Sequence, residues 1–530
     1  ARADYRRLLA VLYEEGYFGP TISIRIDGRE AAFLPSLQPL RKVDRVAVQV
    51  APGPRFHFAL ARLAPLAPGT TVGGGFQPGE PAGTGAISLA ASQGVQGWRE
   101  AGHAKARIGA QSITADHRDQ TLDVDIVLAP GPRLRFGALH LDGKTALSDE
   151  RLRRIASLPS GETYHPDELE RIARRLRRTG VFRSVTISEA DTAGPDGTLD
   201  IELRVEDDKP RRLTFGAELE SRDGLSLSAT WLHRNLLGGG ERFQIDAEAA
   251  GIGGQGDNAE LALQAALTRP ATLRPDIDFG LSAGLLSLDN DIFRTEKLAL
   301  TLGLTRTLSE HSTLYGGLLL EASNAGDDYG DRQFRTLGLP LRAIRDRRDD
   351  RLDPTRGSYV RAEAMPYASH FDGAPGLRLT GDMRAYRSLG SDRVVVAGRL
   401  QYGSVFGPGL SETPPDYLFL SGGGGTVRGH LYQSGLVTVG GRRSGGLSFL
   451  GLSGELRVRA TDSVSAVAFY DAGFVGSTSD ITGAGNWHAG AGIGLRYHTS
   501  IGPIRADIAL PVSGGTSGGA QLYVGIGQAF

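Results

Sequence analysis

The chain has 530 residues, 59 of them basic and 60 acidic, for a formal net charge of −1. That balance excludes the broad basic surface of a nucleic-acid binder, and the absence of cysteine excludes disulfides and thiolate metal sites. Glycine is the outlier at 74 residues and follows no collagen period, while no apolar run approaches the ~18 residues of a spanning helix; a large soluble β protein or a membrane β-barrel remains, since barrel strands alternate instead.

The sequence starts directly in a polar, helix-like stretch with no signal peptide, so a mature or shortened N-terminus is expected. A repeat follows. Ala51-Pro52-Gly53-Pro54-Arg55 returns 78 positions later as Ala129-Pro130-Gly131-Pro132-Arg133, and the pair Pro210-Arg211 stands 78 beyond Pro132-Arg133. Alternating strands precede each one: 46–50, 122–128 and 199–205. A fixed period means a row of like modules. The third is the clearest. A strand at 135–141 leads to a helix that Ser148 can cap, with Asp149 and Glu150 in its first turn. Pro166 opens a second helix, and Leu169, Ile172, Ala173 and Leu176 form its apolar stripe. Gly180 ends it and a strand at 181–187 follows, giving β-α-α-β-β. The predicted modules are 1–53, which begins at its second helix and is incomplete, 54–131 and 132–209. Arg171, Arg174, Arg175, Arg177 and Arg178 crowd the last helix. A solvated face with cations near a helix C-terminus is preferred over a surface for lipid headgroups or an acidic client.

From Arg211 helix signals vanish. Alternating segments are expected to start near 211, 224, 241, 257, 275, 294, 311, 332, 356, 377, 392, 447, 463, 486, 502 and 519, sixteen strands in residues 210–530. An even count suits a closed outer-membrane barrel. The charged stretch Asp346–Gly357 is predicted to be a periplasmic turn and not a metal site. The long connection 405–446 is predicted to be extracellular by strand parity. The last strand is predicted over Gln521–Phe530, with Leu522, Val524, Ile526 and Phe530 on one side, Tyr523, Gly525 and Gly527 on the other, and Phe530 at an interface girdle.

Within the long connection, Gly422–Gly429 reads G-G-G-G-T-V-R-G, followed by His430. Arg428 is its one charge. A lone guanidinium at a loop tip calls for a carboxylate, ideally gripped through two nitrogens. Glu455 and Asp471 lie at strand positions downstream. No G-x-S-x-G, H-E-x-x-H or P-loop lysine occurs, and the glycines at 422–425 lack the strand-then-helix context of a phosphate cradle. An acid/base pairing of Asp471 with His430 or His488 is disfavoured. No enzymatic activity, cofactor or metal is expected.

These residues resemble a known family. Modules of this order ahead of a sixteen-stranded barrel, Val427-Arg428-Gly429-His430 in the sixth outer loop and Phe469-x-Asp471-x-Gly473 on strand thirteen are similar to the outer-membrane assembly superfamily of POTRA-plus-barrel proteins. So are the barrel signatures Asp353–Gly357 and Gly502–Asp507 and the final Phe530. His430 stands where that pattern usually carries Tyr or Phe. The module count and Trp231-x-His233-Arg234-Asn235-Leu236 resemble the TamA branch, the outer-membrane subunit of a translocation and assembly module. The resemblance implies a loop lock made by Val427, Arg428, Gly429 and His430, with Glu455 and Asp471 as acidic partners. It implies a weak seam between the first strand (Leu213, Phe215) and the last (Tyr523, Gly525, Gly527, Phe530), through which autotransporters and other outer-membrane proteins are inserted. The implied partners are outer-membrane lipid, unfolded clients and a TamB-like protein at the POTRA modules; the implied location is the bacterial outer membrane, with those modules in the periplasm. Two-partner-secretion transporters, which pass a chain through the lumen, are the alternative. A five-module barrel-assembly subunit and a passive porin fit the module count less well.

Overall fold

The computed structural model describes residues 2–34, 43–220, 224–252, 259–370, 375–500, 502–514 and 519–530. The chain divides into two compact units: residues 1–144, 156–174 and 185–206, and residues 145–155, 175–184 and 207–530.

Among the described residues, three three-stranded sheets precede the barrel. The first holds strands Thr21–Ile26, Arg29–Glu30 and Val46–Ala51, after the helix Arg2–Glu14. In the second, His57–Ala64 runs parallel to Thr121–Ala129, which pairs antiparallel with Arg107–Asp116. Its core closes on Phe56, Phe58, Phe76, Ile87, Leu122, Val124, Ile126 and Leu128. This module has one helix, Thr84–Glu100, where the repeat predicted two. Pro65, Pro68, Gly69, Gly73, Gly74, Gly75, Pro78, Gly79 and Pro81 fill the stretch where the other would lie. Such a run lacks the backbone donors and the propensity that propagate a helix. The third module has both helices, Asp149–Ala156 and Pro166–Arg178, with strands Arg135–Asp142, Phe182–Glu189 and Thr198–Asp207. Of its arginines, Arg171 pairs with Glu168 at 2.6 Å and Arg174 with Glu170 at 3.2 Å, as a solvated helix face does. Arg178 instead donates to the Pro275 carbonyl at 3.2 Å.

Among the described residues, seventeen of the remaining strands form one antiparallel sheet, and Val437–Val439 and Arg442–Ser444 pair as a separate hairpin in the long connection. Two of the seventeen, Gly330–Gly338 and Leu341–Asp346, share the neighbours Ser312–Asp327 and Gly357–Ala368 and flank Leu339-Pro340. They are halves of one strand, broken where proline offers no ladder N–H. Counted as one, they leave sixteen barrel strands, each starting within two residues of its predicted position; the expected start at 257 itself lies outside the described residues. Leu298, Leu300, Leu302 and Leu304 are exposed on the outer face, while Ala299, Thr301 and Gly303 between them turn inward. That is the alternation of a barrel wall with lipid outside.

The last strand differs from its expected course. It spans Gln521–Ile526, not Gln521–Phe530. Gly527 has φ +90° and leaves the ladder, its N–H donating to the Pro503 carbonyl at 2.7 Å. Phe530 therefore does not sit at a girdle. It is 6% exposed and packs with Tyr386 and Ala397 on the inner face. Glycine reaches this backbone geometry without a Cβ penalty.

Candidate functional site in the barrel lumen

Four strands set the site: the twelfth, Ser448–Arg459; the thirteenth, Val464–Gly476; the fourteenth, Gly485–Thr499; and the fifteenth, Gly502–Ser513. Period-2 alternation puts Leu456, Tyr470, Ile493 and Ile508 on the exposed outer face. It puts Glu455, Arg457, Phe469, Asp471, Arg496 and Asp507 on the buried inner one.

The loop enters this pocket through glycine. A Cβ at Gly473 would stand 2.8 Å from Val427 Cγ2, and one at Gly490 would stand 1.9 Å from the Arg428 carbonyl oxygen. Gly429 has φ +96°, where a side chain would also meet the Leu510 carbonyl at 2.6 Å. The glycine richness of the sequence is thus, in part, the space into which the loop folds.

Arg428 is 2% exposed and touches three carboxylates. Its Nε donates to Asp471 Oδ2 at 2.7 Å and its Nη2 to Asp471 Oδ1 at 3.1 Å, a bidentate grip, and its backbone N–H adds a bond to Oδ2 at 3.2 Å. Nη1 donates to Glu455 Oε1 at 2.8 Å and to Asp507 Oδ2 at 3.3 Å. The guanidinium carbon lies 3.5 Å from the Phe469 ring centroid, a cation–π contact. Two further arginines complete the charge balance. Arg457 Nη2 pairs with Glu455 Oε2 at 2.8 Å, and Arg496 pairs with both oxygens of Asp507. Three cations face three anions, which is what makes so many buried charges tolerable.

The other predicted positions divide. Val427 is fully buried. Gly429 N–H donates to the Tyr523 hydroxyl at 3.0 Å, which donates on to the His430 carbonyl at 3.3 Å, so the last strand grips the loop directly. His430 Nε2 lies 2.9 Å from the Ala489 carbonyl, and His488 Nε2 lies 2.8 Å from Ser421 Oγ. Leu213 and Phe215 are 58% and 73% exposed, on the outer face. Gly525 stays in the last strand opposite Arg505, while Gly527 and Phe530 lie beyond it.

Sequence reasoning missed Asp507, Arg457 and Arg496 as members of the cluster. Asp507 closes the signature at Gly502–Asp507, but nothing in its spacing names its partner. It missed a second anchor too. Lys297 on the sixth strand, Phe293–Ser309, pairs with Asp416 of the loop and with Glu321 Oε2 at 3.3 Å. Arg378, on the tenth strand, Pro375–Leu389, donates to the Tyr417 carbonyl at 3.0 Å. The connection is therefore held at two places on the inner wall. A single lysine facing inward among small residues gave no sequence signal for this.

The pair terms are separable by experiment. Double-mutant cycles should give a coupling of about 2–3 kcal/mol for Arg428 with Asp471 and about 1 kcal/mol for Arg428 with Glu455, which keeps Arg457. Equal or reversed couplings in chemical unfolding of the barrel would contradict this ranking.

Comparison with known proteins decides the family. The Omp85 superfamily domain matches residues 235–530, more than half of the chain. The chain belongs to the Omp85 superfamily. A POTRA match, described as a surface antigen variable number repeat, covers residues 134–208 of this Omp85 protein. It is accordingly an outer-membrane protein with periplasmic POTRA structure. It is 22% identical over 423 residues to the outer membrane protein assembly factor BamA of Nitratidesulfovibrio vulgaris, covering 76% of this chain and 51% of that one. It is 24% identical over 147 residues to BamA of Neisseria meningitidis, covering 28% of this chain and 18% of that one. The Omp85 chain thus spans about half the length of the first relative and much less of the second. In fold it is similar to BamA from Haemophilus ducreyi lacking POTRA domains 1–3, with a TM-score of 0.68 at 19% identity, covering 85% of this chain and 95% of that one. CdiB from Acinetobacter baumannii follows with a TM-score of 0.54 at 13% identity, covering 90% of each chain.

Proposed function

We propose that this Omp85 protein is a TamA-like assembly factor that inserts autotransporters and other outer-membrane proteins into the membrane through its barrel seam. The observation that carries the reading is the seam. The first strand, Arg211–Glu220, pairs with Gly224–His233, and the six-residue last strand pairs with the fifteenth; among the described residues the two edges share no ladder. Unpaired strand edges template incoming strands, and the main-chain bonds supply the affinity. A client hairpin added there reaches lipid with its backbone groups already paired. Outer-membrane lipid and unfolded clients are the partners of the barrel, and a TamB-like partner is assigned to the POTRA modules. The loop lock of Val427, Arg428, Gly429 and His430 on Glu455 and Asp471 holds the connection in the lumen while the edges do this work. The domain plan remains 1–53, 54–131, 132–209 and 210–530.

The second reading, passage of a chain through the lumen, has the CdiB likeness in fold in its favour. It requires the connection 405–446 to leave both of its anchors. One experiment separates the two. The chain has no cysteine of its own. One cysteine within Leu213–Glu220 and one within Gln521–Ile526 are introduced and oxidised across the seam. The proposal expects surface display of an autotransporter to stop while the barrel stays folded, and to return on reduction. Display that continues with the seam closed supports passage through the lumen.

A further inference from the structure

The cluster around Arg428 does not end at its three acids. Arg457, which holds Glu455, also donates through Nη2 to the Phe530 backbone oxygen at 3.1 Å. Its guanidinium carbon lies 5.7 Å from the Phe530 ring centroid. Arg496, which holds Asp507, donates through Nε to Gln528 Oε1 at 2.9 Å. Gln528 Nε2 then donates to Asp353 Oδ1 at 2.8 Å, and its backbone N–H to the Leu352 carbonyl at 3.1 Å. Tyr523, on the last strand, bonds to Gly429 and His430. Three separate routes therefore run from the loop tip to the last strand and to the segment after it.

We propose that the Arg428 lock is also the latch of the last strand: Arg457, Arg496 and Tyr523 couple the seated loop to the inward tuck of Gly527–Phe530, so that the loop leaves its seat and the tuck releases as one event. The electrostatics give the reason. With Arg428 seated, Glu455 and Asp507 each share two cations, and Arg457 and Arg496 have donors free for Phe530 and Gln528. When Arg428 withdraws, three buried carboxylates are left to two guanidinium groups. Those two must turn toward the orphaned oxygens, because an unpaired buried charge is costly. They turn away from the terminal segment in doing so. Withdrawal of the loop also removes the bonds of the Tyr523 hydroxyl to Gly429 and His430. Such a coupling is reciprocal by linkage: loosening the tuck must loosen the loop by the same factor. The inference rests on the seam reading only for its use; the latch itself is a property of the folded barrel.

The test uses single thiols in the cysteine-free chain, reconstituted in vesicles of outer-membrane lipid composition. Ala529→Cys reports the tuck, since Ala529 packs against the cluster of Tyr386, Ala397 and Phe530. Val427→Cys reports the loop from a fully buried position. Gly429→Ala unseats the loop without changing any of the six charges. It is expected to raise the maleimide labelling rate at both reporters, by roughly tenfold at residue 529, within the range typical of coupled sites. In the reverse arm, Gln528→Ala with Phe530→Ala is expected to speed labelling at residue 427 by a similar factor. The latch is overturned if residue 427 becomes reactive in Gly429→Ala while residue 529 stays protected, or if the reverse arm leaves residue 427 protected. The reverse arm alone decides where Gly429→Ala does not fold. Neither readout involves a client, so a failed latch leaves the seam proposal standing, and a failed seam experiment leaves the latch standing.

Discussion

Arg428→Ala should destabilise the barrel by about 3–5 kcal/mol, the usual cost of removing one partner from a buried ionic cluster. The change deletes the cation that touches Asp471, Glu455 and Asp507 together and leaves an excess of buried negative charge. It also strips Phe469 of the group stacked on it. Arg428→Lys should recover only part of the loss. A lysine carries one compact charge and cannot grip Asp471 through two nitrogens while reaching Glu455 with a third. Guanidinium unfolding of refolded barrel reads both effects. Equal stability for Arg428→Lys and the parent would show that charge alone holds the loop, and that the planar fork contributes nothing.

Gly490→Ala is the second change with a large expected effect, and the smallest in chemical terms. The added methyl would lie 1.9 Å from the Arg428 carbonyl oxygen, which belongs to backbone and cannot swing aside. The cost should reach the top of the about 1–3 kcal/mol range for overpacking, or exceed it. The loop should lift, exposing Val427. Gly454→Ala provides the control two strands away, on the twelfth, since a Cβ there meets nothing within 4 Å. It should be nearly silent. Similar unfolding midpoints for the two variants would mean that the fourteenth strand gives way to the loop, and that the glycine is not there to make room.

Much of this was legible in the sequence. Alternation of Leu298, Leu300, Leu302 and Leu304 with small residues marks a wall with lipid on one side, and the glycine-rich loop with a lone arginine marks a buried tip. Glu455 and Asp471 were readable as candidate partners because both stand at strand positions downstream of the loop, Asp471 beside small residues that leave room for its tip. Asp507 and its arginine were not, because the fifteenth strand joins the cluster through barrel curvature, and no sequence spacing encodes that. The helix missing from the second module was obscured by the repeat itself: a period of 78 residues holds even when prolines and glycines replace a helix. The course of the last strand failed for a local reason. Its alternation runs on to Phe530, but Gly527 adopts positive φ, and bonds to Arg457, Arg496 and Pro503 carry the segment inward. Alternation reports which way side chains would face in a strand; it does not report where a strand ends.

The proposed function has the unpaired edge of the first strand receive client strands. The most direct measurement is to place a photo-crosslinking residue singly at each position from Leu213 to Phe215, supply an autotransporter whose assembly is stalled part-way, and map the products. Insertion at this edge should give crosslinks from Leu213 and Phe215 to a terminal strand of the client barrel, absent once assembly completes. Crosslinks from Thr214 alone, which alternation turns toward the lumen, with none from Leu213 or Phe215, would place the client inside the barrel instead.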